Sequence, residues 1–223
     1  TMEKTVALRK EKSFSCLDDY LVRVRPEEPE ARALIPSGAF DALCPGQSRS
    51  MIRWQWACWK NARPRTSAGS LLFDMASAPA VTPPPIVENA LERYRQEFSA
   101  LGFLCDIHPI TLYASMLGKT RVVKAEHLKQ YVGQRVCLAG WLITGKVVRT
   151  KHGDPMEFLT FEDETDSFET TFFPKAYTRF CYLIDKGRPY LLWGMVDENW
   201  GAVTLTVDRL ECLPRLDSLD KDG

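Results

Sequence analysis

The residues best equipped for chemistry lie in the last third of the chain. Lys146 is followed by "VVRTKHGDP", which carries Arg149, Lys151 and His152 beside Gly153. Downstream, "FEDETDSFETTFFPKAY" runs from Phe161 to Tyr177. It sets Phe161, Phe172 and Phe173 around an acidic turn and adds Lys175 and Tyr177 after a proline. Aromatic faces can stack bases, at about 1–3 kcal/mol each, and neighbouring cations can follow a phosphate backbone. The same phenylalanines would serve equally as core. Phe158 and Thr160 lie opposite Leu159 and Phe161, both faces look partly apolar, and one bulge reverses the assignment.

Other chemistries find no support. Glu162, Asp163, Glu164 and Asp166 crowd one turn, but the glycine and terminal glutamate of an EF-hand loop are missing, so a solvated turn is expected. His108, before Pro109, has no His or Cys at ligand spacing, and a structural or exposed role is expected. Trp54, Trp56 and Trp59 are read as helix packing. No phosphate-cradling glycine loop or nucleophile elbow occurs. The reading is therefore no catalytic residue, no metal and no cofactor.

Composition narrows the partners. Lys+Arg and Asp+Glu both total 29, so the net charge is zero. Between 131 and 215 ten bases face twelve acids. Strong general polyanion binding is not expected, and any nucleic-acid site must be a local patch. Seven cysteines without a CxxC pair predict reduced thiols in a cytoplasm. No apolar run reaches the ~18 residues of a membrane span.

The elements that must position these groups follow from periodicity. Leu17, Tyr20, Leu21 and Val24 form one helical stripe with Ser15 as a candidate N-cap. Pro36-Ser37-Gly38 predicts a turn and a new helix start at Ala39-Phe40. "RPRTSAGS" and "ASAPAVTPPP" read as linker around the apolar island "LLFDM". Leu91, Tyr94, Phe98 and Leu101 mark another helix, with Arg93 and Glu97 as an exposed pair, ending near Gly102. From about Tyr131 the period becomes that of strands. Gly140 and Gly145 mark a bend or bulge in the first. The order is three strands, a helix with Tyr177, Phe180, Cys181 and Ile184 on one face, then two strands. It is the order of a five-stranded OB-fold β-barrel, making the class α+β. The expected divisions are 1–62 helical, 63–87 Pro/Ser-rich linker, 88–130 helical connector, 131–215 barrel and 216–223 tail.

"ALGFLCDIHPITLY", followed by "GQRVCLAGWLITGKVVRTKHGDPMEFLTFEDETDSFETTFFPKAY", resembles the C-terminal region of the bacterial DNA polymerase III alpha subunit family. "KSFSCLDDYLVRV" and "LIPSGAFDAL" look like its helix-hairpin-helix region, and "GSLLFD" like its following linker. "MIRWQWACWK" leans toward the error-prone paralogues. The resemblance implies an OB domain holding single-stranded DNA and hairpin amides near Gly38 gripping duplex backbone. It implies a DNA-directed polymerase as the parent, with palm, thumb and fingers outside this chain, so the chain itself is read as non-enzymatic. Where the family usually carries Ser-Gly before His-Pro, this chain has Asp106-Ile107, and only half of the tandem hairpin motif is visible.

Two other readings stand beside it. The near-neutral charge suits a domain that docks polymerase or clamp proteins. "GQRVCLAGWL" is also similar to the start of the anticodon-binding OB domain of class II aminoacyl-tRNA synthetases, which implies RNA.

Overall fold

A computed structural model describes residues 1–62, 85–199 and 201–219. "LLFDM" and most of the expected linker lie outside the described residues. The chain forms two compact units, Thr1–Phe103 and Leu104–Gly223.

The first unit is helical: α1 (Met2–Glu11), α2 (Leu17–Val24), α3 (Glu28–Leu34), α4 (Arg49–Ala62) and α5 (Ala90–Leu101). The α2 stripe is buried as its spacing requires, against Ala31, Ile35, Phe40, Ile52 and Trp56. Its start differs from expectation. Cys16 is the N-cap, and the Asp19 carboxylate reaches back to accept from the Ser15 amide (3.0 Å) and hydroxyl (3.3 Å). No helix begins at Ala39. Residues 36–44 form consecutive turns, and α4 starts only after Ser48, whose hydroxyl accepts from the Met51 amide.

Glu97 is the larger correction. It is 2% exposed, and its carboxylate accepts from Nη2 of Arg49 at 2.7 Å. Arg49, also buried, donates to Asp41 (2.9 Å) and to the Pro36 carbonyl (2.7 Å). A buried ion pair is tolerated only when its remaining donors and acceptors are satisfied, and this guanidinium is surrounded by acceptors. The pair joins α5 to α4, and α5 falls in the first unit.

The second unit is a closed barrel, β1 (Arg135–Arg149), β2 (Pro155–Glu162), β3 (Ser167–Phe172), β4 (Pro189–Asn199) and β5 (Ala202–Cys212), in the order β1-β2-β3-β5-β4. Neighbours pair antiparallel except β3 with β5. Before the barrel comes the short α6 (Ala114–Leu117), and between β3 and β4 comes α7 (Pro174–Phe180). This is the expected OB fold. The expected last turn of α7 tightens into a 3-10 turn, Cys181–Leu183.

Leu138, Leu159, Phe161, Phe168, Phe172, Tyr190, Leu192 and Leu205 fill the interior. Gly140 and Gly145 are not bulges. The register shift falls between them, at Leu142/Thr144, where β1 leaves β4 and takes up β2, and such corners are where barrels place bulges. Gly140 serves a close approach: a Cβ there would collide with Phe161 and the Phe168 ring.

Outside the barrel, the first half of β1 and the start of β4 are covered. Cys137, Ala139, Trp141 and Leu191 point outward by alternation yet are buried. The 3-10 turn Pro109–Tyr113 packs on β1, the Tyr113 hydroxyl donates to Pro214 O (2.9 Å), and the Val123 amide donates to Cys137 O (2.8 Å). Ile110, Tyr113, Leu213 and Leu216 are buried in this layer. His108 accepts from the Ile110 amide through Nδ1 (3.2 Å), capping the turn, and its Nε2 lies 3.3 Å from Glu162. "HPITLY" is therefore a cap and plug for that wall.

Candidate nucleic-acid interface

Among the described residues of this unit, the outer face of β2 and β3 keeps exposed side chains. Alternation puts Leu159, Phe161, Phe168, Thr170 and Phe172 inside and Phe158, Thr160, Glu169 and Phe173 outside. Phe161, expected at the interface, is 0% exposed, its ring 5.9 Å from Phe168 and 5.8 Å from Tyr190. It is core and cannot stack a base. The outward ring on β2 is Phe158, 40% exposed, which the sequence did not single out as a contact. The signal was present: if Leu159 and Phe161 face in, Phe158 faces out.

Register builds the rest of the surface. Lys146 pairs with Phe158, and Phe158 with Thr171, so Lys146 and the ring share the outer face. Beyond lies the β1–β2 turn. It is tighter than its glycine suggested: the Thr150 amide donates to Asp154 O (2.8 Å) and the Gly153 amide to Thr150 O (2.9 Å). The Thr150 hydroxyl also accepts from the amides of His152 (3.3 Å) and Asp154 (3.2 Å). Lys151 and His152 stand exposed at its tip, and Arg149 donates to Gly153 O (2.9 Å). Phe173, 49% exposed, and the exposed Lys175 follow β3. Tyr177 is half-buried against the barrel core, so most of its ring secures α7.

Charge is unevenly distributed. Arg135 and Arg215 pair with Asp208 and Asp185, and Arg209 with Glu211. Among the described residues, Lys146, Arg149, Lys151 and Lys175 make no ion pair, so the barrel's unneutralised cations include those beside its open face. The acidic turn at the other end is not merely solvated. Asp163 is buried and accepts from the amides of Ala125 (2.8 Å), Thr165 (2.7 Å) and Asp166 (3.1 Å), while Glu164 pairs with Lys124. That turn latches the segment before β1 to the hairpin.

Gly38 has a different job from the expected one. With φ at 78° it occupies the left-handed region, and a Cβ would strike the Arg49 guanidinium. Its amide donates to Ile35 O (3.2 Å) and that of Ala39 to Leu34 O (3.2 Å). These amides close a turn and are not open to a phosphate.

Residues 136–213 match the family described as tRNA anti-codon, OB-fold nucleic acid binding domain. The chain is 29% identical to the Error-prone DNA polymerase of Symbiobacterium thermophilum, an alignment covering 93% of this chain and 21% of that protein. It is 25% identical to the DNA polymerase III subunit alpha of Halalkalibacterium halodurans over 99% of this chain and 20% of that one. With that of Thermus aquaticus it shares 28% identity over 83% of this chain and 16% of that protein. Over most of its length the chain is similar to DNA polymerase III alpha subunits and error-prone DNA polymerases. It spans about a fifth of the length of the curated relatives first matched. The part so matched contains an OB-fold nucleic-acid-binding domain, and among its described residues no helix is long and apolar enough to cross a membrane.

Proposed function

We propose that this chain is a non-catalytic, strand-holding module of a polymerase III alpha-like protein. It carries single-stranded DNA across the outer face of β2 and β3, in the cytoplasm, with its thiols reduced. Bases stack on Phe158 and Phe173, while Lys146, Arg149, Lys151 and Lys175, with His152, follow the phosphates. The barrel expected at 131–215 is the binding unit, and no step of nucleotidyl transfer is assigned to it. The observation that carries this reading is the pair of exposed rings, Phe158 and Phe173, beside four cations that make no ion pair among the described residues.

The test is a titration of fluorescent mixed-sequence oligonucleotide of about 12 nucleotides across a salt series. Contacts to as many as four phosphates predict a slope of log K against log salt of up to about −3. Binding that is absent at low salt, or indifferent to salt, removes the reading. RNA is the second reading, favoured by the anti-codon family match. It gains if RNA of the same sequence binds more tightly.

A further inference from the structure

The open face is not uniform along its length, and its polar end meets its aromatic end at one place. Thr160 and Glu169 sit opposite each other on the outer face, and the Thr160 hydroxyl donates to Glu169 Oε1 at 2.8 Å. No other hydrogen bond engages Glu169 among the described residues, so its second oxygen is open, and the side chain is exposed. Phe158 pairs with Thr171, two residues beyond Glu169 on β3. Glu169 is therefore the diagonal neighbour of Phe158, about 7–8 Å away and within reach of long side chains and large rings. Thr144, Thr160, Thr171, Thr204 and Thr206 line the surrounding rows on β1, β2, β3 and β5.

A base stacked on Phe158 presents an unpaired Watson–Crick edge, and a carboxylate is an acceptor only. Cytosine offers an amino group at N4, for which a carboxylate is the natural acceptor. Thymine offers one donor, N3–H, flanked on both sides by carbonyl oxygens that repel a carboxylate, whereas the cytosine amino group stands at the end of its edge beside a single acceptor. The cation on the same row, Lys146, lies across Phe158 on β1, where it can hold the phosphate while the edge turns toward β3.

Resting on the strand-holding reading, we propose that Glu169, fixed by Thr160 beside Phe158, makes this face select cytosine over thymine through the exocyclic amino group. The preference is set by one exposed, charge-assisted hydrogen bond, so it is modest: about three- to tenfold in Kd.

The experiment compares oligo(dC) and oligo(dT) of about 12 nucleotides with the full chain, by anisotropy at one low salt concentration and at a pH well above the cytosine pKa. The expected result is tighter binding of oligo(dC), with the ratio falling to near one in Glu169→Gln and Glu169→Ala. The Gln variant keeps the shape and the Thr160 contact while gaining a donor for thymine O4, so its oligo(dT) affinity rises. Thermal melts establish that both variants fold. A ratio near one in the unaltered protein, or a preference that survives Glu169→Ala, overturns the inference and leaves strand holding intact. No measurable binding of either oligonucleotide overturns strand holding and the inference with it.

Discussion

The barrel's outer surface has two halves built on the same alternation and finished differently. On the first half of β1 and the start of β4 the outward residues are Cys137, Ala139, Trp141 and Leu191, small or apolar, and they are buried. On β2 and β3 they include Phe158, Thr160 and Glu169, with Phe173 just after β3, and both rings stay exposed beside cations that make no ion pair among the described residues. A phenylalanine is therefore uninformative until its side of the strand is known. Phe158 and Phe161 are three residues apart, on opposite faces of one strand, and do unrelated work.

The largest effects test what is buried. Arg49→Ala leaves the Glu97 carboxylate buried without its cation and should cost about 3–5 kcal/mol. Hydrogen exchange followed by mass spectrometry should show faster exchange concentrated in peptides of 17–62 and 90–101. Exchange unchanged there would mean that Glu97 is not held as described. Phe161→Ala should cost a similar 3–5 kcal/mol in urea denaturation, because the ring sits in the barrel interior. Phe158→Ala should stay within about 0.5 kcal/mol of the unaltered protein. Equal losses for the two would erase the distinction between inward and outward rings.

Smaller effects sharpen the reading of the β2–β3 face. Reversing charge in Arg149→Glu with Lys151→Glu should weaken oligonucleotide binding about tenfold or more at low salt and flatten the salt slope by about 1–2. A slope that does not change places the phosphates elsewhere.

The thiols report burial independently. Burial pushes Cys137, on the covered wall, and Cys44, in the helical unit, up to about 11 from an ordinary value near 9. The thiolate is the nucleophile, so both should alkylate at least about a hundredfold more slowly than exposed Cys16 and Cys105 near neutral pH. Stability should also fall as pH rises past about 9, where unfolded thiols ionise and folded ones stay neutral. Fast labelling of Cys137 in the folded protein would mean that the wall is open.

The strand order and the α2 stripe were legible because both rest on local periodicity. The OB arrangement follows from three strands, a helix and two strands, and Leu17, Tyr20, Leu21 and Val24 all reach the core. What was not legible depends on distant partners. Glu97 reads as an exposed partner of Arg93 until Arg49, 48 residues earlier, is brought beside it. Gly140 and Gly145 look like bulges, but the bulge falls at the corner where β1 changes neighbours, a property of closure rather than of the strand. Which face of β2 points inward stayed open for the same reason. Lys146, Arg149, Lys151, His152, Phe173 and Lys175 were exposed as the sequence suggested, whereas Phe161 was not, Tyr177 only partly, and Phe158 was passed over.

The most direct measurement is the affinity of the protein with Phe158→Ala and Phe173→Ala combined for a labelled single-stranded oligonucleotide, beside Tyr182→Ala, which removes a 76% exposed ring outside the proposed face. The double variant should lose binding by about tenfold or more, from about 1–3 kcal/mol per stacked base, with its melting little changed, while the Tyr182 variant binds as before. Undiminished binding by the double variant, or an equal loss in both, would contradict the outer face of β2 and β3 as the place where the strand is held.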